Sequence, residues 1–185
     1  MKNINLIAVL SLMIICLSCN KESVNTSSSD LKLELVVNNT TEQSSEPNAD
    51  NIIAVLDIKS YNAKTGEVIF NNTPPDNIDK WQHNEYKVNV YTNNDSRLFT
   101  LTFANSLFSN LYNEPVLYYS LVDNSEIEGT STEKDKWYIL SGYPYGKLLT
   151  PKTITDAEQL ENFKKIESDW NLFIDELKKS KKYID

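Results

Sequence analysis

Between residues 31 and 141, apolar and polar residues alternate in short runs, and this period of two constrains the fold most strongly. Successive side chains of a strand point to opposite faces, so the alternation predicts half-buried β-strands. The runs 51–61 and 67–71 flank a loop that ends at Gly66, which predicts a hairpin. We expect about seven strands with antiparallel connections, because the early linkers are too short for a crossover helix.

Three later segments add to the predicted strands. The runs 86–92 and 97–103 flank a polar turn and predict a second hairpin. The run 116–122 is apolar on both faces, which is typical of a central strand. After an acidic loop, the run 136–141 predicts the last strand of this part of the chain.

The period changes to three and four residues near the C-terminus, where a helix is predicted over about 156–182. Thr155 and Glu158 form a capping-box pattern at its start. A sheet needs a cover for its apolar face, so we expect the helix to pack within the domain. The predicted fold class is α+β, a largely antiparallel sheet covered by one long C-terminal helix, with a β-sandwich and an appended helix as the alternative. The apolar stripe of the helix consists of Leu160, Phe163, Ile166, Trp170, Phe173, Ile174 and Leu177.

The N-terminus predicts export. Residues 1–18 combine Lys2 with an apolar run that is too short to span a bilayer and matches the h-region of a signal peptide. The following Leu17-Ser18-Cys19 resembles the lipobox of bacterial lipoproteins, and the next few residues are similar to the start of Bacteroidetes-type lipoproteins. The resemblance implies cleavage before Cys19, lipidation of its sulfur and acylation with a fatty acid such as palmitate. It implies an outer-membrane location, facing either the surface or the periplasm, and carries no information about activity.

The mature chain is then expected to consist of a polar tether, residues 19–30, and one globular domain, residues 31–185. Cys19 is its only cysteine, so no internal disulfide is expected. The chain has 26 acidic and 18 basic residues and a net charge of −8, which argues against nucleic-acid binding. Its four glycines form neither a phosphate-binding loop nor a dinucleotide fingerprint, so no cofactor is expected.

Aromatic residues form the candidate ligand platform, which consists of Trp137, Tyr143 and Tyr145. Exposed Trp and Tyr rings can stack on the apolar faces of sugars. Tyr143 and Tyr145 follow the last strand of the alternating region in a loop bracketed by glycines, and we expect both to be exposed. Core packing is the competing interpretation, because alternation sends one of Trp137 and Tyr138 inward.

The acidic loop holds a weak calcium candidate. Asp123, Glu126 and Glu128 offer oxygen ligands at nearly alternating positions, but the loop lacks the turn glycine and the distal acid of an EF-hand. A solvated acidic loop is the simpler interpretation, and no other metal site is predicted. His83 is the only histidine and has no companion ligand.

No catalytic residue is identified, since carboxylate pairs are inevitable among so many acids and carry no information by themselves. The expected function is a lipid-anchored, non-catalytic binding or assembly module of the envelope. Its partner is expected to be the membrane through the lipid, together with either a glycan or an envelope protein. The alternative is a small carboxylate-dependent hydrolase.

Overall fold

The computed structural model describes residues 31–37, 52–72, 86–92, 96–107, 110–122, 125–127 and 130–185. Within these ranges the chain forms ten β-strands and one α-helix. The strands are β1 (Lys32–Val37), β2 (Ile52–Asn62), β3 (Glu67–Phe70), β4 (Tyr86–Tyr91), β5 (Arg97–Asn105), β6 (Val116–Ser120), β7 (Ser125–Ile127), β8 (Thr130–Thr132), β9 (Lys136–Leu140) and β10 (Tyr183–Ile184), and helix α1 is Ala157–Lys179.

Seven of these strands pair edge to edge until the sheet closes into a barrel. Their order is β1–β4–β5–β6–β9–β3–β2, and β2 pairs back onto β1. The pair β5–β6 is parallel, and the other neighbours in the ring are antiparallel. A closed ring with an odd number of strands cannot alternate direction throughout, so one parallel pair is unavoidable. The short connection between Asn105 and Val116 makes that pair.

The predicted open, largely antiparallel sheet and its β-sandwich alternative are therefore wrong: the sheet is a closed, mixed barrel. Alternation shows which residues face inward, and it is the same in an open sheet and in a barrel. Closure depends on pairing along both edges of β2, which no local pattern reveals. One edge of β2 pairs with β1 and the other with β3, with a register shift between Ile58 and Ser60. Such irregularities bend a strand and favour closure.

Apolar side chains fill the interior of the barrel, as expected for a barrel of so few strands. The inward positions alternate along each strand, for example Leu33 and Leu35 on β1. Twelve side chains of this interior, located on the barrel strands or directly before β1, are at most 1% exposed: Leu31, Leu33, Leu35, Leu56, Ile58, Val68, Val88, Val90, Leu101, Phe103, Leu117 and Ile139.

Helix α1 closes one end of the barrel, which we call the helix mouth. The rings of Trp170 and Phe173 contact those of Tyr61, near the end of β2, and Phe99, near the start of β5. Phe163 and Leu177 belong to the same buried cluster. The helix thus covers the end of a barrel rather than the face of an open sheet.

The opposite end, which we call the strand mouth, is closed by rings of the strands themselves. Along β5 the chain runs from Phe99 at the helix mouth to Phe103 near the strand mouth. The rings of Phe103 and Trp137 lie 6.1 Å apart, and the rings of Tyr119 and Trp137 lie 4.8 Å apart. Phe70 and Tyr86 complete this group through edge contacts with Trp137 and Phe103.

Both termini of α1 follow from local sequence. Asp156 is the N-cap, and its carboxylate accepts hydrogen bonds from the backbone N–H groups of Glu158 and Gln159 at 3.0 and 2.9 Å. The cap therefore lies one residue after Thr155, the position that the capping-box pattern predicts. After the helix, the chain turns at Lys181, which has φ of 59°, and β10 pairs in parallel with the end of β2.

A second apolar cluster lies outside the barrel on β5, β6 and β9, and we call it the outer layer. It contains Ala104, Val116, Tyr118, Tyr138, Leu140 and Tyr143. These strands bury both faces, which explains the continuous apolar run that begins at Val116.

Candidate functional site

A groove of about 190 Å³ opens beside helix α1 at the helix mouth. Its floor includes the buried rings of Tyr61, Phe163 and Trp170. Its rim includes Glu167 and Asn171 from the helix, and the segment 149–151 and Tyr183 of β10 also line it. The groove is thus apolar at depth and polar at its edge, which is the usual construction of a binding site.

The groove forms where three C-terminal elements meet the barrel. Phe163, Glu167, Trp170 and Asn171 recur at spacings of three and four, so they share one flank of the helix. The backbone N–H of Tyr61 donates to the carbonyl of Lys182 at 2.8 Å, which fixes β10 at the end of β2. This pairing places the rings of Tyr61 and Tyr183 6.3 Å apart.

Two donors in the floor of the groove have no partner. The Tyr61 hydroxyl and the Trp170 indole N–H make no hydrogen bond within the part of the chain that the structure describes. Their residues are only 3% and 5% exposed, and buried Tyr and Trp side chains normally satisfy these groups. Burial, and then the neighbouring Tyr183 hydroxyl, raise the pKa of Tyr61, so its hydroxyl stays protonated and available as a donor.

Neither of these two donors is fully cut off from solvent. Among the described residues, Asn105 Nδ2 is the one side-chain polar atom that is fully buried without a partner. The unpaired atoms of Tyr61 and Trp170 therefore keep some contact with solvent, although most of each side chain is buried. Because both residues line the groove, a bound molecule could satisfy the two donors there.

The rim adds an unpaired acceptor and an unpaired amide. Glu167 and Asn171 make no side-chain hydrogen bond or ion pair with any described residue. No lysine or arginine is among the lining residues. Lys178 is nearby, but its ammonium lies 4.9 Å from the centre of the Tyr183 ring. Glu167 is therefore the one charged side chain among the described residues that line the groove.

The structure does not bring the three residues of the predicted aromatic platform together on one surface. Trp137 is 6% exposed and belongs to the barrel core, whereas Tyr143 is 7% exposed and stacks on Tyr118 in the outer layer. Tyr145 is 58% exposed. Of the three rings, only Tyr145 has the exposure that stacking on a ligand requires.

The predicted metal and anchor residues lie mostly beyond the described ranges. Asp123, Glu128, His83 and Cys19 fall outside them, and Glu126 lies on β7 in a segment whose side chains are not described. Among the described residues, no group of three or more histidine, cysteine or acidic side chains could hold a metal ion. Within the same ranges, no helix has the length and apolar character needed to cross a bilayer.

On the side of the barrel, the carboxylate of Glu114 takes part in both an ion pair and a hydrogen bond. It pairs with Lys87 at 2.8 Å and accepts a hydrogen bond from the Thr102 hydroxyl. Burial alone would raise the pKa of Glu114, but these hydrogen bonds and the charge of Lys87 outweigh it and hold the pKa below its usual value. A general acid needs a raised pKa, so this arrangement is a structural tether between β4, β5 and the segment before β6.

Sequence patterns did not indicate the groove. Trp170 belongs to the apolar stripe that predicts the helix, whereas Glu167 and Asn171 lie outside that stripe, and no sequence pattern points to them. Their role depends on β10 and the segment 149–151, whose positions no periodicity predicts.

Comparisons with known proteins assign no family. The chain matches no protein-family model, no curated protein and no solved structure. The groove and the N-terminal motif are therefore the features of this chain that bear on its function.

Proposed function

We propose that this chain is a lipid-anchored, non-catalytic binding module of the bacterial outer membrane, and that it binds its ligand in the groove beside α1. The observation that carries the binding role is the pair of unpaired, largely buried donors, Tyr61 and Trp170, in the floor of an open groove. Neither donor has a partner among the described residues, so a ligand that accepts from both would gain two hydrogen bonds, each contributing about 0.5–1.5 kcal/mol.

The filled barrel supports a surface site over an internal one. Among the described residues, its inward-facing leucine, isoleucine and valine side chains are almost completely buried. A small barrel packed in this way serves as a scaffold. The groove lies on secondary-structure elements attached to that scaffold, so its side chains are held in place without a ligand.

The sequence Leu17-Ser18-Cys19 supports the anchor. It follows a short apolar run and precedes a polar stretch, in the order found in bacterial lipoproteins. Each buried CH₂ of an acyl chain contributes about 0.8 kcal/mol to membrane binding, so several chains on one cysteine hold a protein durably.

Substitution of Cys19 tests the anchor. We expect Cys19→Ser to lose metabolic labelling with palmitate and to leave the outer-membrane fraction, because serine has no thiol to accept the lipid. Cys16→Leu is the control, since Cys16 precedes the cleavage site at a position where the lipobox commonly has leucine, and it should leave both properties unchanged. Retention of label and fractionation by the Cys19→Ser protein would show that the anchor is assigned to the wrong residue.

A further inference from the structure

We infer that the groove binds one uncharged, hydroxyl-bearing ring, that is, a single sugar unit of a neutral glycan. This inference rests on the proposed function, because it names the ligand class of the same site. It follows from the pattern of donors and acceptors in the groove, from its charge and from its size.

The floor requires a ligand with acceptors. The Trp170 indole N–H can only donate, and the Tyr61 hydroxyl, protonated at neutral pH like any tyrosine hydroxyl, donates one hydrogen bond and can also accept. Hydroxyl and ring oxygens of a sugar accept such hydrogen bonds. An ammonium or guanidinium group has no acceptor and would leave both floor donors unpaired.

The rim requires a ligand with donors and without negative charge. The Glu167 carboxylate is unpaired and only accepts hydrogen bonds when ionised. Sugar hydroxyls can donate to it, whereas its charge would repel a carboxylate, phosphate or sulfate, and no lysine or arginine is among the described residues that line the groove. Asn171 can both donate and accept, which suits adjacent hydroxyls.

The apolar part and the size of the groove also fit one ring. Ile174 and Pro151 present apolar surface beside the polar groups, as the C–H patches of a sugar ring require. A volume of about 190 Å³ corresponds to about six water molecules at roughly 30 Å³ each. It lies below the roughly 300–1,000 Å³ of pockets for drug-sized ligands, so the groove takes a single ring.

The test uses the lipidated chain in detergent and reads its indole N–H signals by NMR. The probes are glucose, galactose and N-acetylglucosamine as neutral sugars, glucuronate as an anionic sugar and ethylammonium as a cation. We expect at least one neutral sugar to shift the Trp170 signal, identified by its loss in Trp170→Phe, and to leave the Trp137 signal in place. Glucuronate is expected to bind more weakly than its neutral counterpart, glucose.

Conservative variants locate the binding. Tyr61→Phe should weaken neutral-sugar binding about three- to tenfold without altering the thermal melt, because the hydroxyl has no protein partner to lose. Glu167→Gln should weaken it about tenfold and reduce the discrimination against glucuronate. Glu161→Gln, on the exposed side of the same helix, and Tyr145→Phe, at the exposed ring of the predicted platform, are controls that should bind as the unmodified protein does.

Each alternative result has a distinct meaning. Shifts of Trp170 with ethylammonium alone would overturn the sugar assignment and keep the groove as the site of a binding module. The absence of any shift with every probe near its solubility limit would overturn both the sugar assignment and the groove as a site, while the Cys19 result would stand independently. Sugar binding that Tyr61→Phe and Glu167→Gln leave unchanged would place the site elsewhere and overturn the inference.

Discussion

The helix mouth and the strand mouth of the barrel are both closed by aromatic rings, but the rings have different origins. At the strand mouth, Phe103 and Trp137 come from barrel strands, so their closure follows from the same alternation that builds the wall. At the helix mouth, Trp170 and Phe173 are supplied by a separate helix laid across the opening. A helix does not fit a circular rim along its whole length, and the groove occupies the space on its flank. Closure by a separate element thus leaves room for a site.

Among the changes that test this comparison, truncation of one tryptophan at each mouth should have the largest effect on stability. We expect Trp170→Ala and Trp137→Ala each to lower the free energy of unfolding by about 3–5 kcal/mol, because both remove a large buried ring. That is a large share of the roughly 5–15 kcal/mol of an ordinary domain. Urea unfolding followed by circular dichroism measures the loss.

The two truncations should differ in what they do to the groove. Trp137→Ala leaves the groove intact, so the Trp170 signal should still respond to sugar in whatever fraction remains folded. An unchanged melt for Trp170→Ala would mean that α1 is not part of the core, and that its apolar face is free to bind another protein.

Removal of the helix cap should affect the helix mouth alone. We expect Asp156→Ala to cost about 1 kcal/mol, because the carboxylate caps two backbone N–H groups at the start of α1. Thr155→Ala is the matched control, since Thr155 is exposed and is the cap that the sequence pattern predicts. Thermal melts compare the two variants, and a larger loss for Thr155→Ala would contradict the observed cap.

The smallest effect is expected at Glu114, between the two mouths. Its folded-state pKa lies below the unfolded value, so its contribution to stability is present above about pH 4.3 and is lost as the pH falls through the folded-state pKa. The side chain is 48% exposed, so we expect less than about 1 kcal/mol. Urea unfolding from neutral pH to about pH 3 should show a shallower acid loss for Glu114→Gln than for the unmodified protein. An equal or steeper loss for Glu114→Gln would contradict the lowered pKa.

Local patterns predicted the local structure well. The hairpin of β2 and β3 is present, and Gly66 at its end has φ of 76°, the left-handed conformation that the loop pattern required. The apolar stripe correctly predicted a C-terminal helix, which runs over Ala157–Lys179. These features depend on residues close together in sequence.

The global features depend on strand pairing and packing between segments that are far apart in sequence, and no local pattern predicts these contacts. Leu33 and Leu35 were predicted to face a core, but nothing near them shows that β1 pairs with both β2 and β4. The loop that contains Tyr143 led to the prediction that this residue is exposed, but it is buried. The outer face of β6 requires a cover, and Tyr143 provides it by stacking on the Tyr118 ring. Predicting the groove would have required both the local helix pattern and the long-range strand pairing, since the groove joins a helix flank to a strand that pairs at the end of β2.

The direction of β1 determines which end of the barrel lies next to the N-terminal segment. This strand begins at the helix mouth, where the carbonyl of Leu31 accepts a hydrogen bond from the N–H of Ile58, and β10 joins the same edge of β2 a little further on. With Cys19 as the anchor, as proposed, the dozen residues that lead to Leu31 reach at most about 40 Å when fully extended. An anchor at Cys19 would therefore hold the molecule by the end that carries the groove, and the groove would reach only the layer nearest the bilayer.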